Sequence, residues 1–262
     1  MSQERLRNEV NDVLRNLGAF KVGVAGPQKG FAQALVGCHP RNVMKNCRSV
    51  IVYAFNIGMD YYTALDYEHN NIRLGHLYRD WTGLQLITFL RKKGFDAAEV
   101  PREFADQKNR IALLSFKLAA YEAGIGVFGR PSIIITPEYG PRVNIGVVLT
   151  DAVLKPDGRT ENFSPCERCN VCTQNCPVNA IRGDVPPPKG FDRNRCVSFV
   201  DWLKEKTSDQ VKLCGICFNK CPAGKVVPKT LAVGKWKTLD DLKTEDKKKL
   251  PAQFTRARSQ PT

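Results

Sequence analysis

The sequence predicts a mixed α/β (α+β) domain followed by a small cysteine-rich module. Apolar residues recur with helical and strand periods in alternation over residues 1–150, which is typical of packed layers of helices and sheet. Eight of the ten cysteines then fall between positions 166 and 221, whereas Cys38 and Cys47 stand alone. A chain of 262 residues is long enough to bury one large core and to carry a smaller second module.

Individual elements follow from the apolar pattern. The first helix has apolar residues at helical spacing from Leu6 to Leu17 and ends at Gly18. A second helix has an apolar stripe formed by Trp81, Leu84, Ile87 and Leu90. The other predicted elements are a helix over residues 111–123, which ends at Gly124, and strands over 21–25, 49–55, 133–136 and 143–150.

A domain boundary is expected after the last of these strands. Residues 151–165 hold few apolar side chains and include the turn sequence Pro156-Asp-Gly. We therefore expect an α/β domain over 1–155, a cysteine module over 156–228 and a basic tail over 229–262. The formal net charge is +14, and a basic tail is either a solvated surface or a contact for an acidic redox partner or RNA.

The expected compartment follows from two signals that the sequence lacks, a membrane span and an export signal. No run approaches the roughly 18 to 20 apolar residues that a membrane span needs, and the polar start Met1-Ser-Gln-Glu-Arg is not followed by an export signal. A cytoplasmic protein without a membrane span is the expectation. In that compartment clustered cysteines favour metal or redox chemistry over disulfides.

The spacing of the clustered cysteines is that of a bacterial-type two-[4Fe–4S] ferredoxin. The first motif has gaps of two, two and three residues and ends before a proline; it consists of Cys166, Cys169, Cys172, Cys176 and Pro177. The second motif is shorter and consists of Cys214, Cys217, Cys221 and Pro222, with Cys196 upstream. In such motifs the cysteine before the proline ligates the neighbouring cluster.

A crossed assignment of the two clusters follows from this rule. Cluster one takes Cys166, Cys169, Cys172 and Cys221. Cluster two takes Cys176, Cys196, Cys214 and Cys217, so that Cys196 replaces the thiolate missing from the second motif. Structural zinc is the rival interpretation because it also uses Cys-x-x-Cys pairs, although zinc ribbons seldom place three cysteines in seven residues.

The segment from Ala123 to Asp151, which includes the last two predicted strands, is the most specific part of the front domain. It reads Ala123-Gly-Ile-Gly-Val-Phe-Gly-Arg, continues to the strand Gly146-Val-Val-Leu-Thr-Asp and precedes the cysteine motifs. This arrangement resembles the epoxyqueuosine reductase family, and corrinoid reductive dehalogenases share the two-part architecture. The resemblance covers roughly residues 20–225.

The resemblance implies a nitroreductase-like, cobalamin-binding domain joined to the two-cluster ferredoxin domain. The glycines would let the backbone approach a large planar ligand, and the two arginines would bond its amide oxygens. The candidate cofactor-binding residues are Gly124, Gly126, Phe128, Gly129, Arg130 and Arg142. Considered alone, Gly124 could equally cap the preceding helix.

The sequence departs from the family at its proposed proton donor. The family has an acidic residue before this helix, and the matching position here is Arg110. This difference counts against reduction of a tRNA epoxide. The candidate catalytic residues are Arg110 and Tyr53, and Tyr53 at the end of a predicted strand is either a core residue or a proton donor.

These observations lead to one functional hypothesis and three alternatives. The hypothesis is a cobalamin-dependent iron–sulfur oxidoreductase that takes electrons from a donor such as ferredoxin or flavodoxin and acts on an unidentified substrate. The first alternative is an electron carrier or reductive activator of a corrinoid protein, and the second is a flavin-binding oxidoreductase. A tRNA-modifying enzyme that uses the basic tail is the third.

Overall fold

The computed structural model describes residues 2–28, 30–33, 38–56, 73–100, 104–106, 111–207 and 214–224. They form two compact units. The first comprises the described residues within Met1–Ile57, Leu74–Val127 and Val143–Phe163. The second comprises those within Gly58–Arg73, Phe128–Arg142 and Ser164–Thr262. The predicted basic tail, 229–262, and the candidate residue Arg110 lie outside the described residues.

The described elements alternate along the chain as the sequence predicts. The helices are α1 (Gln3–Asn16), α2 (Pro40–Val43), α3 (Arg73–Lys92), α4 (Phe116–Glu122), α5 (Val171–Gln174), α6 (Arg193–Thr207) and α7 (Ile216–Asn219), with a 3₁₀ turn at Phe31–Gln33. The strands are β1 (Lys21–Ala25), β2 (Ser49–Phe55), β3 (Ala97–Glu99), β4 (Phe104–Asp106), β5 (Ile111–Ala112), β6 (Val127–Phe128), β7 (Ile134–Ile135) and β8 (Asn144–Thr150). The mixed α/β class is thus confirmed.

A four-stranded sheet in the order β1-β2-β8-β3 is the centre of the first unit. All three strand pairs are antiparallel, which makes this unit an α+β structure rather than a parallel doubly wound one. The long strand β2 is buried along its whole length, because it lies between β1 and β8 and is covered by packed side chains. This sheet supplies the core of the first unit.

Helix α1 covers this core in the way its sequence predicts. The Ser2 hydroxyl accepts a hydrogen bond from the Arg5 N–H and caps the helix. Its buried residues, Leu6, Val10 and Leu14, are four positions apart and join one cluster with side chains from β2 and α3.

Two predicted helices differ from the observed ones. In α3 the buried hydrophobic residues are Leu86, Ile87 and Leu90, whereas Trp81 and Leu84 are exposed, so the helix is rotated relative to the predicted stripe. The predicted helix over 111–123 begins only at Phe116. The Ser115 hydroxyl accepts from the Leu118 N–H and caps it, while Ile111–Ala112 pairs with β4.

The second unit is built from short elements around the cysteines. It contains Phe128 of strand β6 and the whole of strand β7, and helix α5 packs against α7. Helix α6 carries the largest buried side chains of a small core, which consists of Val178, Ala180, Phe199 and Leu203. None of the helices in the described part of the chain is long and apolar enough to cross a bilayer.

The two units do not follow the predicted boundary at residue 155. Residues 156–163 belong to the first unit, where the Asp157 carboxylate accepts from the Val24 N–H at 2.7 Å. Residues 128–142 belong to the second unit, because two arginines of this segment bond the cysteine-bearing loops. The sequence places this segment before the module, whereas its packing assigns it to the module.

Candidate metal centre

Five of the eight clustered cysteines line one cavity of the second unit. The cavity has a volume of about 230 Å³, and its lining cysteines are Cys166, Cys169, Cys172, Cys217 and Cys221. Apolar side chains, among them Ile133 and Ile135, form other parts of the wall. Four of the five thiols are those assigned to cluster one, so residues from both motifs meet at one apolar cavity.

The thiols of the first quartet act on one another electrostatically. Burial, followed by the neighbouring Cys166 and Cys169 thiolates, raises the pKa of Cys172 to about 11. Burial also raises the pKa of Cys221, opposed by the Ala223 N–H and by Arg142, while Cys166 and Cys169 act in the same direction as burial. Cys221, which is distant in sequence, therefore lies near the cysteines of the first motif.

The four cysteines assigned to cluster two form a second group, which includes Cys217 from the cavity wall. Burial, followed by the Cys196 and Cys176 thiolates, raises the pKa of Cys214 to about 12 despite a hydrogen bond from the Ile216 N–H. The pKa of Cys217 is raised by burial and then by Cys214, Cys196 and Cys176, with a smaller effect from Cys172. Cys217 thus faces both groups, and Cys196 reaches the second group from helix α6.

The raised pKa values show that these thiols lose their protons readily only when a positive charge lies nearby. Four thiolates in a desolvated space repel one another and are unfavourable unless a positive charge compensates them. Iron ions in a cubane supply that charge, and thiolate is the ligand such clusters use. Among the described residues, no group of three or more His, Cys, Asp and Glu side chains closes around a single metal ion. The donor chemistry of the thiols, with four soft sulfur ligands in each group, fits a four-iron cluster.

Backbone N–H groups provide additional donors to the sulfur atoms. The Ala180 N–H donates to Cys176 Sγ at 3.2 Å, and the N–H groups of Ala223 and Arg130 donate to Cys221 and Cys166. Such bonds stabilise thiolate charge and raise the reduction potential of a bound cluster. Cysteine spacing carries no signal for them, since they depend on the local turn geometry.

Arg130 has a different role from the predicted one. Its guanidinium donates to five backbone carbonyl oxygens of the cysteine module and is therefore saturated. The predicted bond to the amide oxygens of a corrinoid is corrected, because no N–H of this side chain is left to make it. The sequence contained one signal, an arginine within an otherwise apolar stretch.

Arg142 also bonds the cysteine module. Its guanidinium donates to the Cys221 carbonyl at 2.7 Å and to the Ala223 carbonyl at 3.3 Å, and burial lowers its pKa. The side chain is 7% exposed. At least two of its donors are thus used for the loop that follows the second motif.

Two of the glycines predicted to let a cofactor approach the backbone lie instead against other parts of this chain. Gly124 has φ +69° and ends helix α4, with its N–H bonded to the Tyr121 carbonyl, so the capping interpretation is correct. A Cβ at Gly124 would lie 2.6 Å from the Gly158 oxygen, and one at Gly129 would lie 2.5 Å from Ile135 Cδ1. Gly126 is buried and Phe128 half-buried, and their predicted cofactor contacts stay predictions.

Tyr53 is a core residue, which corrects its assignment as a catalytic candidate. Its side chain is fully buried in β2, and its hydroxyl donates to the Arg79 carbonyl at 3.0 Å. Burial and the Glu99 carboxylate raise its pKa above the ordinary value, which keeps the phenol protonated. Cys38 and Cys47, predicted to be ordinary thiols, are both buried and donate to backbone carbonyls.

Comparison with known proteins finds relatives that are named as reductases. No family model matches the sequence. An epoxyqueuosine reductase of Bacillus subtilis (strain 168) is 30% identical over 120 residues, which are 43% of this chain and 30% of the relative. An epoxyqueuosine reductase of Atelocyanobacterium thalassa (isolate ALOHA) is 22% identical over 258 residues, which are 84% of this chain and 80% of that relative. The chain thus spans about a third of the first relative's length.

Two solved structures have a similar fold. An epoxyqueuosine reductase with an epoxyqueuosine-modified tRNA-Tyr stem loop matches with a TM-score of 0.60 and 19% identity, over 88% of this chain and 68% of the other. A reductive dehalogenase studied for B12-dependent dehalogenation matches with a TM-score of 0.57 and 16% identity, over 73% and 28%. None of these four proteins is named as a flavoprotein, so the flavin alternative gains no support. These matches confirm the predicted resemblance: in sequence and fold the chain is similar to epoxyqueuosine reductases, and in fold to a reductive dehalogenase.

Proposed function

We propose that this chain is a cobalamin-dependent iron–sulfur oxidoreductase. Two [4Fe–4S] clusters in the second unit would pass electrons from a donor such as ferredoxin or flavodoxin to a bound corrinoid, which would reduce a substrate still to be identified. The observation that carries the proposal is the grouping of eight buried or half-buried thiols into two quartets within one compact unit.

The crossed ligation is supported by the electrostatic neighbours of the thiols. Cys221 interacts with Cys166 and Cys169, and Cys176 interacts with Cys214. Each motif thus sends its cysteine before proline to the group formed by the other motif. Cys217 interacts with members of both groups, which favours two clusters close enough for electrons to move between them.

The clusters supply one-electron chemistry when they are bound, and the residues of the chain provide the surroundings of the thiols. Apolar walls that include Ile133 and Ile135 line the cavity of the first quartet. Backbone N–H groups at Ala180, Ile216 and Ala223 stabilise thiolate charge. Helix α6 positions Cys196, whose half-buried side chain packs with Phe199 and Leu203.

The corrinoid part of the proposal rests on the comparisons. One of the matching folds belongs to a protein described as catalysing B12-dependent dehalogenation, and the matching sequences are named as reductases. Among the residues predicted to bind the corrinoid, Gly124, Gly129 and Arg130 contact the chain itself. We therefore assign no reaction step to the corrinoid on these residues.

The test is anaerobic reconstitution of the full chain with iron and sulfide, followed by addition of cobalamin. We expect about eight iron atoms per chain, from two four-iron clusters, and about one corrinoid per chain retained through gel filtration. The control is the same protein without iron and sulfide. Addition of reduced ferredoxin or flavodoxin should then change the corrinoid absorption faster in the sample that contains clusters than in the control.

Two other outcomes separate the alternatives. Iron clusters without retained cobalamin would contradict the corrinoid part and favour the electron carrier. Zinc in place of iron after anaerobic purification, with no cluster absorption on reconstitution, would contradict the whole proposal.

RNA is a second candidate substrate because a matching fold was solved with a tRNA stem loop. The chain has a formal net charge of +14, which suits a polyanion. If RNA is the substrate, a tRNA anticodon stem loop should bind, and its affinity should fall at least tenfold between 50 and 200 mM salt because phosphate contacts release counterions. Fluorescence anisotropy measures this. Absent or salt-insensitive binding would contradict an RNA substrate.

A further inference from the structure

The segment Phe128–Arg142 is the part of the second unit whose role the sequence did not reveal. We call it the arginine hairpin, since it contains β7 and carries Arg130 near one end and Arg142 at the other. Both arginine side chains are buried, with exposures of 6% and 7%. A buried arginine is unusual unless its charge and its donors have partners.

Arg130 contacts the loop that carries the first motif. Its guanidinium donates to the carbonyl oxygens of Cys166 and Cys169, both at 2.9 Å, and to that of Glu167 at 3.5 Å. The same side chain donates to the Gly183 and Val185 carbonyls at 2.8 and 3.0 Å. Two ligand residues of the first quartet are therefore held by one guanidinium.

All five partners of Arg130 are neutral carbonyls. Within the part of the chain that the structure describes, no carboxylate bonds this buried cation. Such a charge is costly in a protein interior unless an anion lies nearby. The side chain faces the ligand loop of the first quartet, and a four-iron cluster on four thiolates carries a charge of about −2 when oxidised. The cluster is the compensating anion that the arrangement calls for.

Arg142 contacts the fourth ligand of the same quartet. It donates to the Cys221 carbonyl at 2.7 Å, so the two arginines together hold Cys166, Cys169 and Cys221. The turn of the hairpin touches the same loop. Gly140 has φ +61°, and a Cβ there would lie 2.0 Å from the Ala223 oxygen, so that only glycine permits this contact.

We propose that Arg130 and Arg142 are positioning residues for cluster one, which hold its two ligand loops together and raise its reduction potential. The proposal rests on the proposed function, because it requires the cluster. Two physical effects act together. A buried cation stabilises the more negative reduced cluster, and the planar fork of arginine holds several carbonyls at once, which a lysine ammonium does not.

The test compares Arg130→Met, Arg130→Lys and the control Arg182→Gln in the reconstituted full chain. Arg182 belongs to the same unit but is partly exposed and paired with Asp184, so its removal deletes one charge without touching the ligand loops. Redox titration followed by electron paramagnetic resonance should show two reduction steps in the unmodified protein. Arg130→Met should shift one step to lower potential, by about tenfold in the ratio of reduced to oxidised cluster, or about 59 mV.

The conservative variant separates charge from geometry. Arg130→Lys keeps the charge and should shift the potential by less than half as much. Because lysine lacks the fork, both Arg130 variants and Arg142→Lys should lose about four irons per chain to a chelator several times faster than the control loses them. Unchanged chelation rates, or an equal shift of both reduction steps in Arg130→Met, would overturn the proposal.

The same measurements distinguish failure of the proposed function from failure of the positioning role. If the unmodified protein takes up no clusters, the proposed function fails. If it takes up two clusters whose potentials and chelation rates match those of every arginine variant, only the positioning role fails. A variant that does not fold leaves Arg130→Lys and Arg142→Lys as independent tests.

Discussion

Replacing Cys176 by alanine is expected to remove cluster two, although Cys176 stands in the first cysteine motif. Its thiol neighbours are Cys214 and Cys217, and its sulfur accepts from the Ala180 N–H, away from the cavity that the other cysteines of its motif line. The iron content should therefore fall from about eight to about four atoms per chain, since each cluster holds four irons. Iron analysis and cluster absorption after reconstitution measure this loss.

Double variants show which cysteines share a cluster. Adding Cys214→Ala to Cys176→Ala should cost no further iron, because both residues serve the same cluster. Adding Cys172→Ala should instead remove the remaining irons. A ligation that followed sequence order would give the reverse pattern, with Cys176 and Cys172 in one cluster, and that outcome would contradict the crossed assignment.

The control is Cys38→Ala. Cys38 is buried in the first unit and donates to the Ala112 carbonyl at 3.2 Å, so its removal deletes a buried thiol without touching either quartet. About eight irons per chain should remain. Loss of iron in this variant would show that the assay reports general damage to the fold rather than loss of a ligand.

Gly146→Ala is expected to destabilise the first unit by about 3 kcal/mol, at the upper end for an overpacked core. Gly146 pairs with Tyr53 across strands β8 and β2 at the centre of the sheet. A Cβ at this position would lie 2.2 Å from Tyr53 Cζ and 2.5 Å from its hydroxyl oxygen. The Tyr53 ring is fully buried and cannot move aside without disturbing its neighbours, among them Phe55. The free energy of unfolding by urea is the measurement.

Two further variants identify the cause. Gly26→Ala is the matched control, because its nearest neighbour, Pro156 Cγ, would lie at an ordinary 3.6 Å, and its effect should stay within about 0.5 kcal/mol. Tyr53→Leu removes the atoms that the new methyl group meets. The double variant Gly146→Ala with Tyr53→Leu should therefore be more stable than the sum of the single effects by about 1 kcal/mol or more. Strict additivity would contradict a clash with Tyr53.

Periodicity predicted those elements whose local signals agree with their packing. Helix α1 has its cap at Ser2 and its apolar face at Leu6, Val10 and Leu14, so sequence and structure coincide there. Helix α3 shows the opposite case. Apolar residues occur on more than one of its faces, and only contact with the sheet selects Leu86 and Leu90 rather than Trp81 and Leu84.

In the candidate site, too, some features could be predicted from the sequence and others could not. Cysteine spacing predicts two groups of four ligands, because short gaps limit which sulfur atoms can meet, and this ligation stays a prediction. Spacing did not predict the partners of Arg130, since its five carbonyls are 36 to 55 residues away in sequence. A guanidinium suits a corrin amide as well as a backbone carbonyl. The prediction for Arg130 therefore failed because its chemistry suits either acceptor, and the sequence does not show which one lies nearby.

By itself, the sequence determined the mixed α/β class, the resemblance to epoxyqueuosine reductases and the cysteines available for metal. These features depend on residue type and short-range spacing. Only the tertiary structure decided that Tyr53 is core, that Gly124 ends a helix and that the arginine hairpin joins the cysteine module. Each of these depends on which distant groups approach a side chain. Burial and hydrogen-bond partners are set by that approach and not by the neighbouring residues in the chain.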